Sequence, residues 1–426
     1  MDIAIIQLII LAVVIILLAT DKFPLYLPAM LGMCATFFLG CASFEEAFGG
    51  WANNSVIMMI GLYTIGNILV EVGLIDKIGE VMVNLFTKGN RKLTNRGFNA
   101  MAMPLVALGS TVINAQLVVQ IFHSVVDALS LKSPDFKRKF SYLPLSIVAS
   151  YGVTVTSIAS STVVLSSGLL EQSSFGRGFT FFEPALIGIP GFIICMIYFF
   201  TVGDVLLRKS ATFPDIAPTN VATEAEARQR DPKKMYLAGG IFLVALGFMI
   251  FSDYSLGPIS LAAAAIMILC GCIEPMKAIK IVPWQSVTLV ACLLGIAKGM
   301  DVSGAGELAA NFLIDLCGPL MHSSFGVILV AFIVPNIVGM FMNNSAAAAI
   351  GVPIFIIVAE NTGTPLLPVV LAAGCGCNLK VTTPTATHVS ISASAGYRFW
   401  DYVKVGGVLN VLTILGCTAV LTFFLG

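Results

Sequence analysis

Apolar runs long enough to cross a lipid bilayer recur along the whole chain, at 3–19, 23–41, 55–74, 101–128, 142–170, 185–207, 235–252, 256–273, 286–300, 325–359, 366–395 and 403–425. A helix needs roughly 20 apolar residues to span hydrocarbon. The 426 residues are 58% hydrophobic and 11% charged, against about 25% charged in a soluble globule. The expected fold class is an all-α polytopic membrane protein. The run 3–19 lacks a basic leader and a clear cleavage site, and is read as a span. A formal net charge of zero argues against a nucleic-acid partner. The ten cysteines sit almost entirely in apolar runs, and Cys375 with Cys377 reads as close packing rather than a metal pair.

One polar linker, 208–234, divides the chain into an N-terminal half, 1–207, and a C-terminal half, 235–426. The halves look like copies. Trp51 with Ser55 returns as Trp284 with Ser286, Gly73 as Gly304, and Pro104 as Pro335. Leu143-Pro144 before Ala149 returns as Leu367-Pro368 before Ala373, in the same order. An internal duplication follows.

Two runs, about 99–128 and about 325–359, are flecked with polar residues and read as re-entrant hairpins. Each half then has five spans, and an odd number forces the second copy to be inverted. With the N-terminus outside, 20 of the 23 lysines and arginines fall on the cytoplasmic side or in the cytoplasmic linker, as the positive-inside rule requires. Segments 75–86 and 307–320 are amphipathic and are expected to lie in the interface before each hairpin.

Breaks in a helix at membrane depth survive only where they line a cavity or pack in protein. The spans at about 141–170 and about 366–395 carry such breaks. Ser110, Thr111, Asn114, Gln116 and Gln120 surround the first hairpin tip, and Asn343, Asn344 and Ser345 the second. The first break adds Ser150, Gly152, Thr154, Thr156, Ser160, Ser161 and Thr162, and the second Asn378, Thr382, Thr383, Thr385 and Thr387. Hydroxyls, amides and freed carbonyls, with Gly339 on the second hairpin, coordinate a hard cation such as sodium. Half-helix N-termini offer N–H groups to an anion. Lys380, four residues before Pro384, is a charge near mid-membrane that meets a substrate carboxylate or stands in for a cation, with snorkelling to the cytoplasmic interface as the alternative. Lys298 is read as snorkelling, and His123 and His388 as packing residues with a proton role as the alternative.

Asn343-Asn344-Ser345 with its following alanines, Thr382-Thr383-Pro384, Ile113-Asn114-Ala115 and Ala159-Ser160-Ser161-Thr162 together resemble the divalent anion:sodium symporter (dicarboxylate transporter) family of the ion-transporter superfamily. The second-half motifs are the nearer match. The first keeps only its asparagine and lacks the prolines of its broken span. The resemblance implies an elevator-type homodimer, with ten spans here where the family has eleven. It implies a first sodium site bordered by Asn114 and Gly152 and a second by Asn344 and Thr382; Ser110, from the hairpin tip, is read as a further sodium ligand. The resemblance places Asn114, Asn344, Ser345 and Thr383 on the substrate carboxylates; Asn343, Thr154, Ser160 and Lys380 are added as substrate contacts from the reading of the residues themselves, Lys380 being a departure from the family pattern.

The expected function is secondary active transport of di- or tricarboxylates across the plasma membrane (a bacterial inner membrane), as sodium symport or dicarboxylate exchange. Alternatives are a relative carrying sulfate or a sulfonate, and a cation/proton antiporter built on Glu71, Asp127 or Asp301. An intramembrane enzyme is disfavoured, since no His-Glu-x-x-His and no paired aspartates lie in spans.

Overall fold

A computed structural model describes residues 2–20, 22–74, 77, 78, 81, 94–112, 115–132, 135–215, 231–252, 254–341, 343–383, 389, 392 and 395–426. Among them the chain is helical throughout and no strand occurs. The helices start where the sequence supplies caps. Asp2 accepts from the Ala4 amide at 3.4 Å, and Ser43 and Glu46 form a reciprocal capping box. Asn53 caps Asn54–Glu71, and Asp231 caps Pro232–Phe251, whose first residue is proline. Each cap satisfies an amide that the first helical turn leaves without a partner.

Five stretches are both long and apolar enough to cross a bilayer: Phe44–Glu71, Pro232–Phe251, Trp284–Val302, Asn344–Thr362 and Phe399–Leu425. Shorter apolar helices include Ile3–Leu18, Tyr26–Phe38 and Leu256–Leu269. The run at 185–207 is not one straight span. Ala185–Phe200 and Val202–Ser210 meet at Thr201 with a bend of 60°. Hydropathy runs on through the bend, but Asp204, Arg208 and Lys209 make the second piece amphipathic.

Asn54–Glu71 and Leu256–Leu269 lie side by side. The Gly257 amide donates to Asn54 Oδ1 at 3.0 Å, and Ser260 Oγ to the Met58 carbonyl at 3.3 Å. A Cβ on Gly61 would stand 2.5 Å from Ser260, so only glycine allows this approach. Together with Pro232–Phe251 these helices hold a hydrophobic cluster of their own, around Ile68, Ala238 and Met267.

The hairpin arms are Asn95–Ser110 with Ala115–Lys132, and Ser324–Phe341 with Asn344–Thr362. Pro104 lies inside the first arm of one and Pro335 inside the first arm of the other. Gly73 and Gly304 both follow a helix C-terminus with positive φ, 77° and 75°, a conformation glycine adopts at little cost. Ahead of the second hairpin, Ala305–Cys317 buries Ala305, Gly306 and Ala310 and turns Leu308, Phe312 and Leu316 outward. Most of segment 75–86 lies outside the described residues.

The first break separates Tyr142–Gly152 from Ser161–Gln172. The second follows Leu366–Val370, a π-turn at Leu371–Cys375 and a 3-10 turn at Gly376–Leu379, with Lys380 extended at φ −72° and ψ 120°. The two broken helices cross where Gly374 meets Ser166, with no room for a Cβ. Asn336 donates to the Gly376 carbonyl at 3.0 Å, and Asn410 to Asn336 at 2.9 Å. This satisfies backbone that the change of helix type sets free.

Candidate anion site

The hydroxyls and amides predicted from the sequence converge at the starts of two helices. Asn343 caps Asn344–Thr362, its Oδ1 accepting from the Ser345 amide at 2.9 Å. Ser160 caps Ser161–Gln172, its Oγ accepting from the Thr162 amide at 3.3 Å. The first turns of these helices touch. Ser161 Oγ lies 3.0 Å from Ser345 Oγ, and Thr162 Oγ1 lies 3.5 Å from the same oxygen. Each helix N-terminus carries about half a positive charge, so two such ends are aimed at one small volume.

Asn378 ties the second break to both. It donates to Ser160 Oγ at 3.0 Å and accepts from Asn344 Nδ2 at 3.0 Å. Asn344 Oδ1 and Thr382 Oγ1 are buried and have no hydrogen-bond partner among the described residues. Orphaned buried acceptors are costly, and these two suit a cation or a hydrogen-bond donor. Ser110 Oγ, at the end of the first hairpin's leading arm, is a third.

Lys380 is fully buried. A Cβ on Gly339 would lie 3.1 Å from its Nζ and 3.5 Å from the Ala347 side chain. Gly339 therefore leaves the lysine a channel between the two arms of the second hairpin. This places Lys380 inside the protein rather than snorkelling to an interface.

The remaining predicted residues fall as follows. Thr154 is fully buried and its hydroxyl donates to the Tyr151 carbonyl at 2.8 Å. Gly152 presses on the first hairpin, where a Cβ would meet Ser110 Cβ at 2.8 Å. Thr156 donates to the Thr111 carbonyl, joining the first break to the first hairpin tip. Thr383 is buried beside the second break. Asn114, Pro384, Thr385, Thr387 and His388 lie outside the described residues. His123 is buried against Tyr142, with ring centroids 3.7 Å apart, and its Nε2 faces the Tyr142 carbonyl at 3.1 Å. Cys375 and Cys377 are fully buried, and no group of metal-ligating side chains occurs among the described residues. The three acids an antiporter would use are all in ion pairs: Glu71 with Lys277, Asp127 with Arg138, and Asp301 with Lys298.

Tyr63, on Asn54–Glu71, was not among the predicted residues. Its side chain is partly buried against the main hydrophobic core. Its polar tip in an apolar span is a weak signal, shared with every interfacial tyrosine. Asn336 and Asn410 were likewise missed, although an asparagine in the middle of an apolar run is informative.

A family profile described as CitMHS, Citrate transporter, matches residues 15–339. The chain belongs to the citrate transporter family. This family lies in the ion-transporter superfamily to which the motif resemblance pointed. With its several apolar helices, this member is a multi-pass membrane protein. It is 22% identical over 276 residues to the uncharacterized transporter YfbS of Escherichia coli, covering 64% of this chain and 42% of that one. It is 22% identical over 235 residues to the probable sodium/sulfate cotransporter 3 of Chlamydomonas reinhardtii, covering 52% of this chain and 26% of that one. The chain thus spans less than half the length of these two relatives. Its fold is similar to that of MtrF of Neisseria gonorrhoeae, described as illuminating a class of antimetabolite efflux pumps. That match has a TM-score of 0.58 at 11% identity, over 100% of this chain and 96% of the other.

Proposed function

We propose that this transporter is a secondary active carrier of small multivalent oxyanions, with di- and tricarboxylates as first candidates. The observation that carries this reading is the meeting of two helix N-termini at Ser161 and Ser345. Their free N–H groups, dipoles and hydroxyls favour an oxyanion in a low-dielectric setting. The fully buried Lys380, on the second broken helix, adds a full positive charge beside the second hairpin. The citrate transporter profile supports a carboxylate.

Sulfate is the second reading, favoured by the relatives named sodium/sulfate cotransporters. Ser, Thr and Asn donors serve sulfate and carboxylate alike.

Sodium is the coupling ion in this proposal. The orphaned oxygens of Ser110, Asn344 and Thr382 are its candidate ligands, with Asn114, Gly152 and Gly339 completing the two positions. Hard oxygen donors without a formal charge suit a monovalent hard cation. The two hairpins and two broken helices are read as one moving body in an inverted-repeat, homodimeric elevator of the bacterial inner membrane. The matching prolines and positive-φ glycines of the halves support the repeat.

The test is uptake of labelled citrate, succinate and sulfate into proteoliposomes, with an inward sodium gradient, with choline in its place, and after counter-loading. Saturable uptake of one of these anions is expected. If none is carried under any of the three conditions, the reading fails.

A further inference from the structure

Gly406, Asn410 and Thr413 share one face of the last helix, Phe399–Leu425, and all three are buried. At Gly406 the helix presses on the second break, with no room for a Cβ against the Val381 carbonyl. Two turns on, Thr413 Oγ1 lies 2.8 Å from the hydroxyl of Tyr151, in the leading half of the first broken helix. Between these contacts Asn410 Nδ2 donates to Asn336 Oδ1 at 2.9 Å, and Asn336 Nδ2 donates to the Gly376 carbonyl at 3.0 Å.

The direction of this relay is set by chemistry. A carbonyl only accepts, so Asn336 turns its NH2 group to Gly376 and its oxygen to Asn410, which must then donate. Asn410 Oδ1 is left buried with no partner among the described residues. The two asparagines are 5% and 1% exposed. A buried orphan acceptor lowers stability, so packing alone does not account for this pair. Gly376 opens the turn Gly376–Leu379, which also carries Asn378. Asn378 in turn holds Ser160 and Asn344, at the two helix N-termini. Cys377 Sγ also donates from this turn, to the Pro335 carbonyl at 3.7 Å, but a thiol is a weak donor.

We propose that Asn410 is a positioning residue for the anion site. Through Asn336 it fixes the Gly376 carbonyl, and with it the turn that sets Asn378 between Ser160 and Asn344. This rests on the reading of those helix N-termini as the anion site. Without the relay the turn loosens, and Asn378 no longer holds the two N-termini at one spacing. Anion affinity then falls although Asn410 itself touches no anion.

The experiment uses the full chain, with Asn410→Leu, Asn378→Ala and their combination compared with wild type. Asn410→Leu keeps the bulk and moves the single orphan from Asn410 Oδ1 to Asn336 Oδ1, so a melting temperature close to wild type is expected. Asn410→Ala is made alongside it, in case leucine does not fit. KM and kcat are measured in proteoliposomes with labelled citrate, succinate and sulfate, and hydrogen–deuterium exchange is followed over residues 371–380. One neutral hydrogen bond corresponds to roughly a three- to tenfold change in KM. That rise is expected for Asn410→Leu, with a smaller change in kcat and faster exchange across the break. The combined variant should have the KM of Asn378→Ala alone, because the relay acts through Asn378. Unchanged exchange, or shifts in KM that multiply in the combined variant, overturns the proposal. If Asn378→Ala raises KM and Asn410→Leu does not, only the Asn410 proposal fails. If the wild type carries none of the three anions, the reading of the site fails first and the role of Asn410 goes with it.

Discussion

Ser161 and Ser345 stand 184 positions apart in the chain, on opposite sides of the polar linker, and their hydroxyl oxygens are 3.0 Å apart. Each begins a helix, so the contact brings together two positive dipole ends that would repel without a shared anion or solvent. Asn344, next to Ser345, donates to Asn378 and leaves its own carbonyl oxygen buried and open. Replacing Asn344 by alanine removes both. Hydrogen bonds to charged partners contribute about 1.5–3 kcal/mol, so kcat/KM for the transported anion should fall roughly ten- to a hundredfold. The check is initial uptake rate at matched reconstituted protein. Near-normal transport by Asn344→Ala would remove that side chain from the site.

Lys380 makes a separate claim. It is buried beside Gly339, one of the residues proposed above for the cation positions. Lys380→Arg keeps the charge but overfills the channel that Gly339 leaves, whereas Lys380→Ala removes charge and bulk together. The expected result for Lys380→Ala is at least a tenfold loss of citrate uptake, and a changed dependence of the remaining rate on sodium. Unchanged kinetics in sodium titrations of Lys380→Ala would make the lysine a packing residue.

Much of this site could be read before any coordinates. Asn343-Asn344-Ser345 and the hydroxyls from Ser160 to Thr162 are conspicuous because nothing else explains amides and hydroxyls inside apolar runs. Other features gave no comparable signal. The 60° bend at Thr201 lies in a hydropathy run that continues through it. The π-turn at Leu371–Cys375 is built from residues that would also suit a regular helix, and its cause is tertiary: Asn336 holds the Gly376 carbonyl and Ser166 fills the space beside Gly374. Asn336 matters through Asn410, 74 positions away in sequence, and periodicity cannot reveal such a pairing.

The crossing of the two broken helices gives a packing prediction. Any Cβ on Gly374 would overlap Ser166, whose own Cβ would be 2.6 Å away. Overpacking of this kind costs about 1–3 kcal/mol. Gly374→Ala should therefore lower the melting temperature in detergent, and Ser166→Gly on top of it should recover most of the loss. Additive destabilisation by the two changes would show that the helices do not meet there.

The base of the first hairpin is fastened by charge. Arg138 Nε lies 2.5 Å from Asp127 Oδ1, the Tyr142 hydroxyl donates to the same oxygen at 2.6 Å, and both charged side chains are less than a tenth exposed. Removing one member of a buried pair leaves the other charge without compensation, at about 3–5 kcal/mol. Replacing both by apolar residues is far milder. Asp127→Asn should thus lower stability more than Asp127→Leu combined with Arg138→Met, as read by thermal melting and by the fraction that stays monodisperse. The first break is joined to this base through Tyr142–Gly152, so the single variant should also lose transport, and the double variant should regain part of it. If the single change proves harmless, the pair does not bind the hairpin to the broken helix, and these two elements need not move together.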